Sequence, residues 1–115
     1  MPAGNFDIEI EQGSTLELDV TYEDTAGSVV DLASGYTAAM QVREAFDSAS
    51  TILNLTSGSG ITLTNVSPNI KIVVGPATTA ALDFDHAFYD LELVVGATTT
   101  KILRGAVSLI REITK

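Results

Sequence analysis

His86 lies in the densest group of side chains that could carry out chemistry. Asp83 and Asp85 precede it, and Asp90 follows it. An imidazole that is oriented by a carboxylate can act as a general base near neutral pH. No Gly-x-Ser-x-Gly turn or other nucleophile signature accompanies this histidine. We therefore interpret His86 as a loop residue, predict no catalytic residue, and expect the protein not to be an enzyme.

The three aspartates around His86 could also offer oxygen ligands to calcium. Their spacing does not match an EF-hand loop, which needs a central Gly and a final Glu. Aspartates in turns more often cap a helix or begin a strand. We predict no metal site. A calcium- or glycan-binding β-module stays open as an alternative, although the sequence has no Trp to stack on a sugar.

The composition excludes several classes of function. The chain has 115 residues, no Cys and a formal net charge of −9, so disulfides, thiol catalysis and Cys-based zinc sites are ruled out. The acidic excess opposes sequence-independent binding to nucleic acid or anionic lipid, because phosphates would be repelled. We predict no nucleic-acid, membrane or cofactor partner. The first residues lack a basic and apolar leader, so we expect no signal peptide and synthesis in the cytoplasm.

Apolar and polar residues alternate with a period of two through most of the chain, which is typical of β-strands. Turn residues separate the alternating segments at roughly ten-residue intervals. In the first segment, Phe6, Ile8 and Ile10 are predicted to face the core. The pattern predicts one domain, residues 1–115, with seven or eight strands in an antiparallel sandwich or small barrel. The segments are 6–11, 16–22, 36–43, 52–55, 61–64, 70–74, 88–95 and 100–110.

One short helix is expected near residues 76–82. The preceding strand must end at Gly75-Pro76, because proline has no backbone N–H to give to a sheet. Proline also suits the first position of a helix, where its missing donor costs nothing. The run of Ala and Thr that follows is long enough for one or two turns.

Charge is distributed unevenly along the chain. Residues 1–31 hold eight acids and no base, whereas residues 101–115 hold four bases and one acid. Three interpretations are open: the acids form a solvated face, the C-terminal strand lies beside the first and neutralises it, or a basic partner covers it. If a partner binds, the residues predicted to contact it are Asp7, Glu9, Glu11, Glu17 and Asp19.

Four stretches of the sequence resemble a family of small tailed-bacteriophage structural proteins. They are Phe6–Gly13, Val30–Arg43, Phe88–Leu93 and Leu103–Val107. In this order they are similar to the N-terminal attachment domain of the phage baseplate upper protein family. The shared features are an early charged strand ending in Gln-Gly, a central Asp-Leu…Gly-Tyr-Thr, a late Tyr-Asp-Leu-Glu and a closing Arg-Gly-x-Val. The likeness is weakest at residues 44–69.

The resemblance implies an immunoglobulin-like β-sandwich that acts as a bracket between virion components. It brings no catalytic residues. Baseplate upper proteins continue into a fibre or receptor-binding region, whereas this sequence ends at Lys115. We therefore expect a virion adaptor of the tail, baseplate or neck, present in a symmetric multi-copy assembly, with a capsid cement protein as the alternative. Exposed strand edges and the arm 1–5 are the expected means of contact with neighbouring virion proteins.

Overall fold

The computed structural model describes residues 4–45 and 51–111, which contain nine strands and one short helix. No helix in these ranges is long and apolar enough to cross a membrane. The elements are β1 (Gly4–Asn5), β2 (Ile8–Glu11), β3 (Leu16–Val20), β4 (Tyr36–Arg43), β5 (Leu53–Ser57), β6 (Gly60–Leu63), β7 (Ile70–Val74), α1 (Pro76–Ala80), β8 (His86–Val95) and β9 (Thr98–Ile110).

The strands form two layers that share one core. The first layer has the order β1/β2, β9, β8, β4, β5, and the second has the order β6, β7, β3. The layers join where β5 and β6 pair over only two residues on each strand, Thr56 with Gly60 and Ser57 with Ile61. Alternate residues of both layers belong to a single apolar cluster. This arrangement is the face-to-face packing of a β-sandwich.

The alternation in the sequence correctly identifies most of the core. Ala38, Met40 and Val42 of β4 are buried, as predicted. The same holds along β7 and β8, where every second residue is buried until Val95 at the end of β8. Since a strand turns successive side chains to opposite faces, the remaining residues form the outer surface of each layer.

The predicted fold class, an immunoglobulin-like β-sandwich with one short helix, is confirmed. The sheet is mixed rather than purely antiparallel, because β1 and β2 both run parallel to β9. The first alternating segment therefore pairs with the last strand and makes no hairpin with the second. The helix begins at Pro76 and ends at Ala80, within the predicted range.

One predicted core residue is wrong. Phe6 is 48% exposed, whereas Ile8 and Ile10 of the same segment are buried. The strand is interrupted at Phe6 and Asp7, which belong to neither β1 nor β2, so the alternation does not continue across the break. The interruption also divides the segment into two strands, which brings the number in the described residues to nine.

Candidate partner-binding surfaces

The five acidic residues predicted to contact a partner do not form one face. Glu9 and Glu11 are exposed on β2, on the outer surface of the first layer. Glu17 and Asp19 are exposed on β3, on the outer surface of the second layer. The chain passes from one layer to the other in the turn between β2 and β3. Two similar patterns of alternation therefore place their acids on opposite sides of the sandwich.

Asp7 has a structural hydrogen bond that the sequence does not reveal. Its carboxylate accepts a hydrogen bond of 3.0 Å from the backbone N–H of Ala106 on β9. The break at Phe6-Asp7 is held from two more directions, since the N–H of Phe6 donates to the carbonyl of Arg104 at 2.9 Å and the Tyr89 hydroxyl donates to the Phe6 carbonyl at 2.6 Å. We therefore interpret Asp7 as part of the scaffold.

Gly105 makes the close approach of this break to β9 possible. A Cβ atom at this position would overlap the carbonyl group of Phe6 and touch the carboxylate of Asp7. Only glycine lets the first segment pass so close to β9. Burial, together with the nearby negative charge of Asp7, raises the pKa of Tyr89 to about 12. The hydroxyl therefore stays protonated and keeps its donor role at neutral pH.

Of the basic residues near the C-terminus, none that the structure describes forms an ion pair with the acids of residues 4–31, and Lys115 lies outside the described residues. β9 does lie beside β2, as one of the three interpretations requires. Lys101 instead binds Asp90 at 3.2 Å and Glu92 at 2.6 Å, both on β8. The hydrogen bond to Glu92 raises the pKa of Lys101. In the part of the chain that the structure describes, Glu9 and Glu11 form no ion pair.

The groups around His86 are not brought together as a catalytic or metal site. Asp83 and Asp85 bind Arg111, at 2.8 and 3.2 Å, whereas Asp90 belongs to the separate ion pair with Lys101. His86 is exposed at the start of β8, opposite Ser108 of β9. Residues 4–45 and 51–111 contain no group of three or more residues placed to hold a metal ion.

Two buried polar residues, Asn69 before β7 and Thr79 in α1, bind main-chain groups of other loops, and neither was singled out by the sequence. Asn69 accepts a hydrogen bond from the N–H of Tyr22 at 2.8 Å and donates to the carbonyls of Tyr22 at 2.9 Å and Val30 at 2.8 Å. The Thr79 hydroxyl donates to the carbonyl of Ser14 at 2.7 Å and accepts from the N–H of Gly13 at 3.1 Å. Both buried side chains therefore have hydrogen-bond partners of their own and tie distant parts of the main chain together. Sequence alone does not distinguish them from other polar residues of the loops and the helix.

The outer surface of the first layer carries two shallow depressions. One has a volume of about 210 Å³ and lies between β4, β8 and β9. The other, of about 330 Å³, lies beside Asp7 and Gly105, where the first segment approaches β9. Their shared lining residues are Phe88 and Arg104. Asp90 and Gln41 add polar groups to the first depression. Asp90 is already bound to Lys101, so its carboxylate is neutralised within the domain.

β3 is an edge strand of the second layer, as β1 and β2 are edge strands of the first. It is the last strand of the second layer and pairs only with β7. Its core-facing residues, Leu16, Leu18 and Val20, are only half-buried. In the described ranges, the main chain of Leu16–Val20 forms no hydrogen bond on the side away from β7. This edge was predicted in general terms from the strand pattern, but its identity was not.

The arm at the start of the chain was predicted to reach a neighbour. Its described part, Gly4–Asn5, pairs with Leu103 and Arg104 of β9 in the same chain. Residues 1–3 lie outside the described residues. The described part of the arm is therefore an element of the domain's own sheet.

Comparisons with known proteins give similar structures only. No protein-family model and no curated protein matches the chain. A structure of Tim-1 is 10% identical with a TM-score of 0.48, covering 100% of this chain and 99% of that chain. A structure from photo-crosslinking analyses of multimeric cell-adhesive interactions of VGSC beta subunits is 13% identical with a TM-score of 0.48, covering 92% of each chain. At these identities the likeness concerns the fold alone.

Proposed function

We propose that the chain is a non-enzymatic structural protein of a tailed-phage virion, an adaptor of the tail, baseplate or neck that holds neighbouring proteins together. The resemblance to the baseplate upper protein family carries this proposal. Its four stretches contain β2, β4, part of β8 and part of β9, which are neighbours in the first layer. Residues that are distant in the sequence and carry the resemblance therefore belong to one continuous piece of sheet.

Contacts among the motif residues support a shared scaffold. The Tyr89 hydroxyl binds the Phe6 carbonyl, Gly105 makes room for that carbonyl, and Asp7 holds the strand that contains Gly105. The motifs Tyr-Asp-Leu-Glu and Arg-Gly-x-Val thus meet the charged first strand at one point. Such contacts fix a sheet in place and leave its outer surfaces free to differ between members of a family.

The two acidic surfaces support a role as an adaptor that contacts two neighbouring proteins. One is formed by Glu9 and Glu11 and the other by Glu17 and Asp19, on opposite sides of the sandwich. A domain with two separated charged surfaces can contact two neighbours at once, and electrostatic complementarity then sets the orientation of each. In a multi-copy particle, modest interfaces suffice because they act together.

Quantitative mass spectrometry of purified particles tests the proposal. The particles are those of the phage whose genome encodes the chain, banded by density and washed in salt. We expect the chain in the particle at a few to tens of copies. Hundreds of copies would instead support a capsid cement protein. Absence from particles, with the major capsid protein detected normally, would overturn a virion role.

Calorimetry with calcium distinguishes the calcium-binding alternative. Because Asp83 and Asp85 are paired with Arg111 and Asp90 with Lys101, we expect calcium to leave the melting temperature unchanged. A shift of several degrees that EDTA reverses would favour a calcium-binding module. Magnesium at the same concentration serves as the control for ionic strength.

A further inference from the structure

On the side of β3 away from β7, the described residues place no further strand. In an antiparallel pair, every second residue turns its N–H and C=O away from the neighbouring strand. On β3 those groups face away from β7, and within residues 4–45 and 51–111 they have no partner. Such an edge presents a ready template for one more strand.

Burial of the apolar side chains leads to the same conclusion. Leu16, Leu18 and Val20 are paired in register with Val74, Ile72 and Ile70 of β7. The three β7 residues are buried, whereas their β3 partners are only half-buried. A further strand beside β3 would cover the open side of these residues.

A second copy of β3 is a poor occupant of this edge. An antiparallel copy centred on Leu18 would place Glu17 opposite Asp19 of the other copy, and the reverse, so like charges would meet twice. Like charges directly opposite each other destabilise a strand pair. Neither Glu17 nor Asp19 forms an ion pair in the described part of the chain that would relieve this repulsion.

The strand already paired with β3 indicates what fits there. β7 begins Ile70-Lys71-Ile72, and Lys71 lies directly opposite Asp19. Apolar residues of β7 face the core and the lysine faces the acid on the outer surface. A strand on the other side of β3 meets the same core-facing leucines and the same two acids, so the same alternation of apolar and basic residues suits it.

We propose that β3 accepts a strand from a partner protein, one in which apolar residues alternate with Lys or Arg. The partner strand adds to the second layer, extends its hydrogen-bond ladder and pairs its basic residues with Glu17 and Asp19. This deepens the proposed function, on which it rests only for the partner being a virion protein. The edge and its charge are properties of the chain itself.

A peptide-binding experiment tests the inference. The probe is a fluorescein-labelled peptide of four lysines alternating with three valines. The control replaces the central valine with proline, which keeps the charge but cannot complete the ladder. We expect the first peptide to bind at least tenfold more tightly by fluorescence anisotropy and to slow hydrogen exchange of the Leu16–Val20 amides. Equal binding of both peptides, or no change in exchange at β3, would overturn the proposal.

Two charge-matched variants locate the site. Glu17→Lys with Asp19→Lys should weaken peptide binding at least tenfold, because both acids at the edge are reversed. Glu9→Lys with Glu11→Lys changes the net charge equally on β2, and should weaken binding no more than threefold. If both double variants lose binding equally, attraction to the acidic protein as a whole explains it and the strand site is wrong.

Sedimentation of the free protein tests whether a second copy of the chain occupies the edge of β3. We expect a monomer with rapid exchange of the outward-facing β3 amides. A dimer in which residues 16–20 are protected without any peptide would mean that a second copy occupies the edge, and the proposal would be wrong. These measurements need no phage particle, so their outcome is independent of the mass spectrometry that tests the virion role.

Discussion

β2 and β3 have nearly the same sequence pattern and lie in very different surroundings. β2 reads Ile-Glu-Ile-Glu and β3 reads Leu-Glu-Leu-Asp-Val. Ile8 and Ile10 are 5% and 1% exposed, whereas the apolar residues of β3 are half-buried. Alternation therefore fixes which side of a strand faces inward, but not how completely that side is covered.

The difference does not come from the number of neighbouring strands, since β2 pairs only with β9 and β3 pairs only with β7. Ile8 and Ile10 are in register with Val107 and Leu109 of β9, both buried. The turn that follows β2 is held by α1 and the segment after it, since the Gln12 side chain donates to the carbonyl of Leu82 at 2.9 Å. The apolar residues of β3 are also in register with buried residues, Val74, Ile72 and Ile70 of β7. The burial of an edge strand therefore also depends on contacts beyond its neighbouring strand, which the alternation does not specify.

Alanine substitutions measure this contrast directly. Ile10→Ala removes a fully buried side chain and should lower the free energy of unfolding by about 3–4 kcal/mol. Leu18→Ala removes a half-buried one and should cost about half as much, since less apolar area leaves water on folding. Urea denaturation gives both values. Equal losses of unfolding free energy would mean that the apolar residues of β3 are buried in solution to the same extent as those of β2.

Gly105→Ala tests the close approach between Phe6 and β9, which lies between β1 and β2. A Cβ atom would collide with the main chain of Phe6, so we expect a loss of about 2–3 kcal/mol of unfolding free energy. Gly75→Ala is the matched control, because a Cβ there meets nothing within 4 Å. If the two variants were equally stable, the close approach at Gly105 would be wrong.

Asn69→Ala tests the tie at the far end of β3. The substitution removes three hydrogen bonds and leaves the N–H of Tyr22 and the carbonyl of Val30 without their side-chain partner, whereas the Tyr22 carbonyl keeps its bond from the N–H of Val30. We expect a loss of about 2 kcal/mol and faster hydrogen exchange of the Tyr22 amide. Asn54→Ala, on the exposed side of β5, should change little. An unchanged exchange rate at Tyr22 would contradict the role of Asn69.

Tyr89→Phe has the smallest expected effect, about 1 kcal/mol at pH 7, from the lost hydrogen bond to Phe6. The pKa of Tyr89 is raised to about 12 from 10.0, so its contribution is complete below pH 10 and falls as the pH rises towards 12. The stability of the wild type should therefore fall more steeply than that of the variant in this range. If the wild type and Tyr89→Phe lost stability equally between pH 10 and 12, the raised pKa of Tyr89 would be wrong. Tyr36→Phe serves as the control.

The sequence predicted much of this fold but little of its candidate site. Period-two alternation identified the core side of β4, β7 and β8, and Gly75-Pro76 located the helix, because these features depend on local chain geometry. The five acids were correctly identified as exposed, yet Asp7 has a structural role and the other four divide between two surfaces. Their division depends on which layer each strand joins.

Local patterns by themselves determined that the chain alternates, turns and carries its acids outward. Only the tertiary structure decided that the first strand runs parallel to the last, that Tyr89 and Gly105 meet at Phe6, and that β3 is left with an open edge. The physical reason is that side-chain direction is set within a few residues, whereas strand pairing depends on residues a hundred positions apart, such as Asp7 and Ala106. Nothing in a local pattern specifies which strands lie at the edges of the sheet.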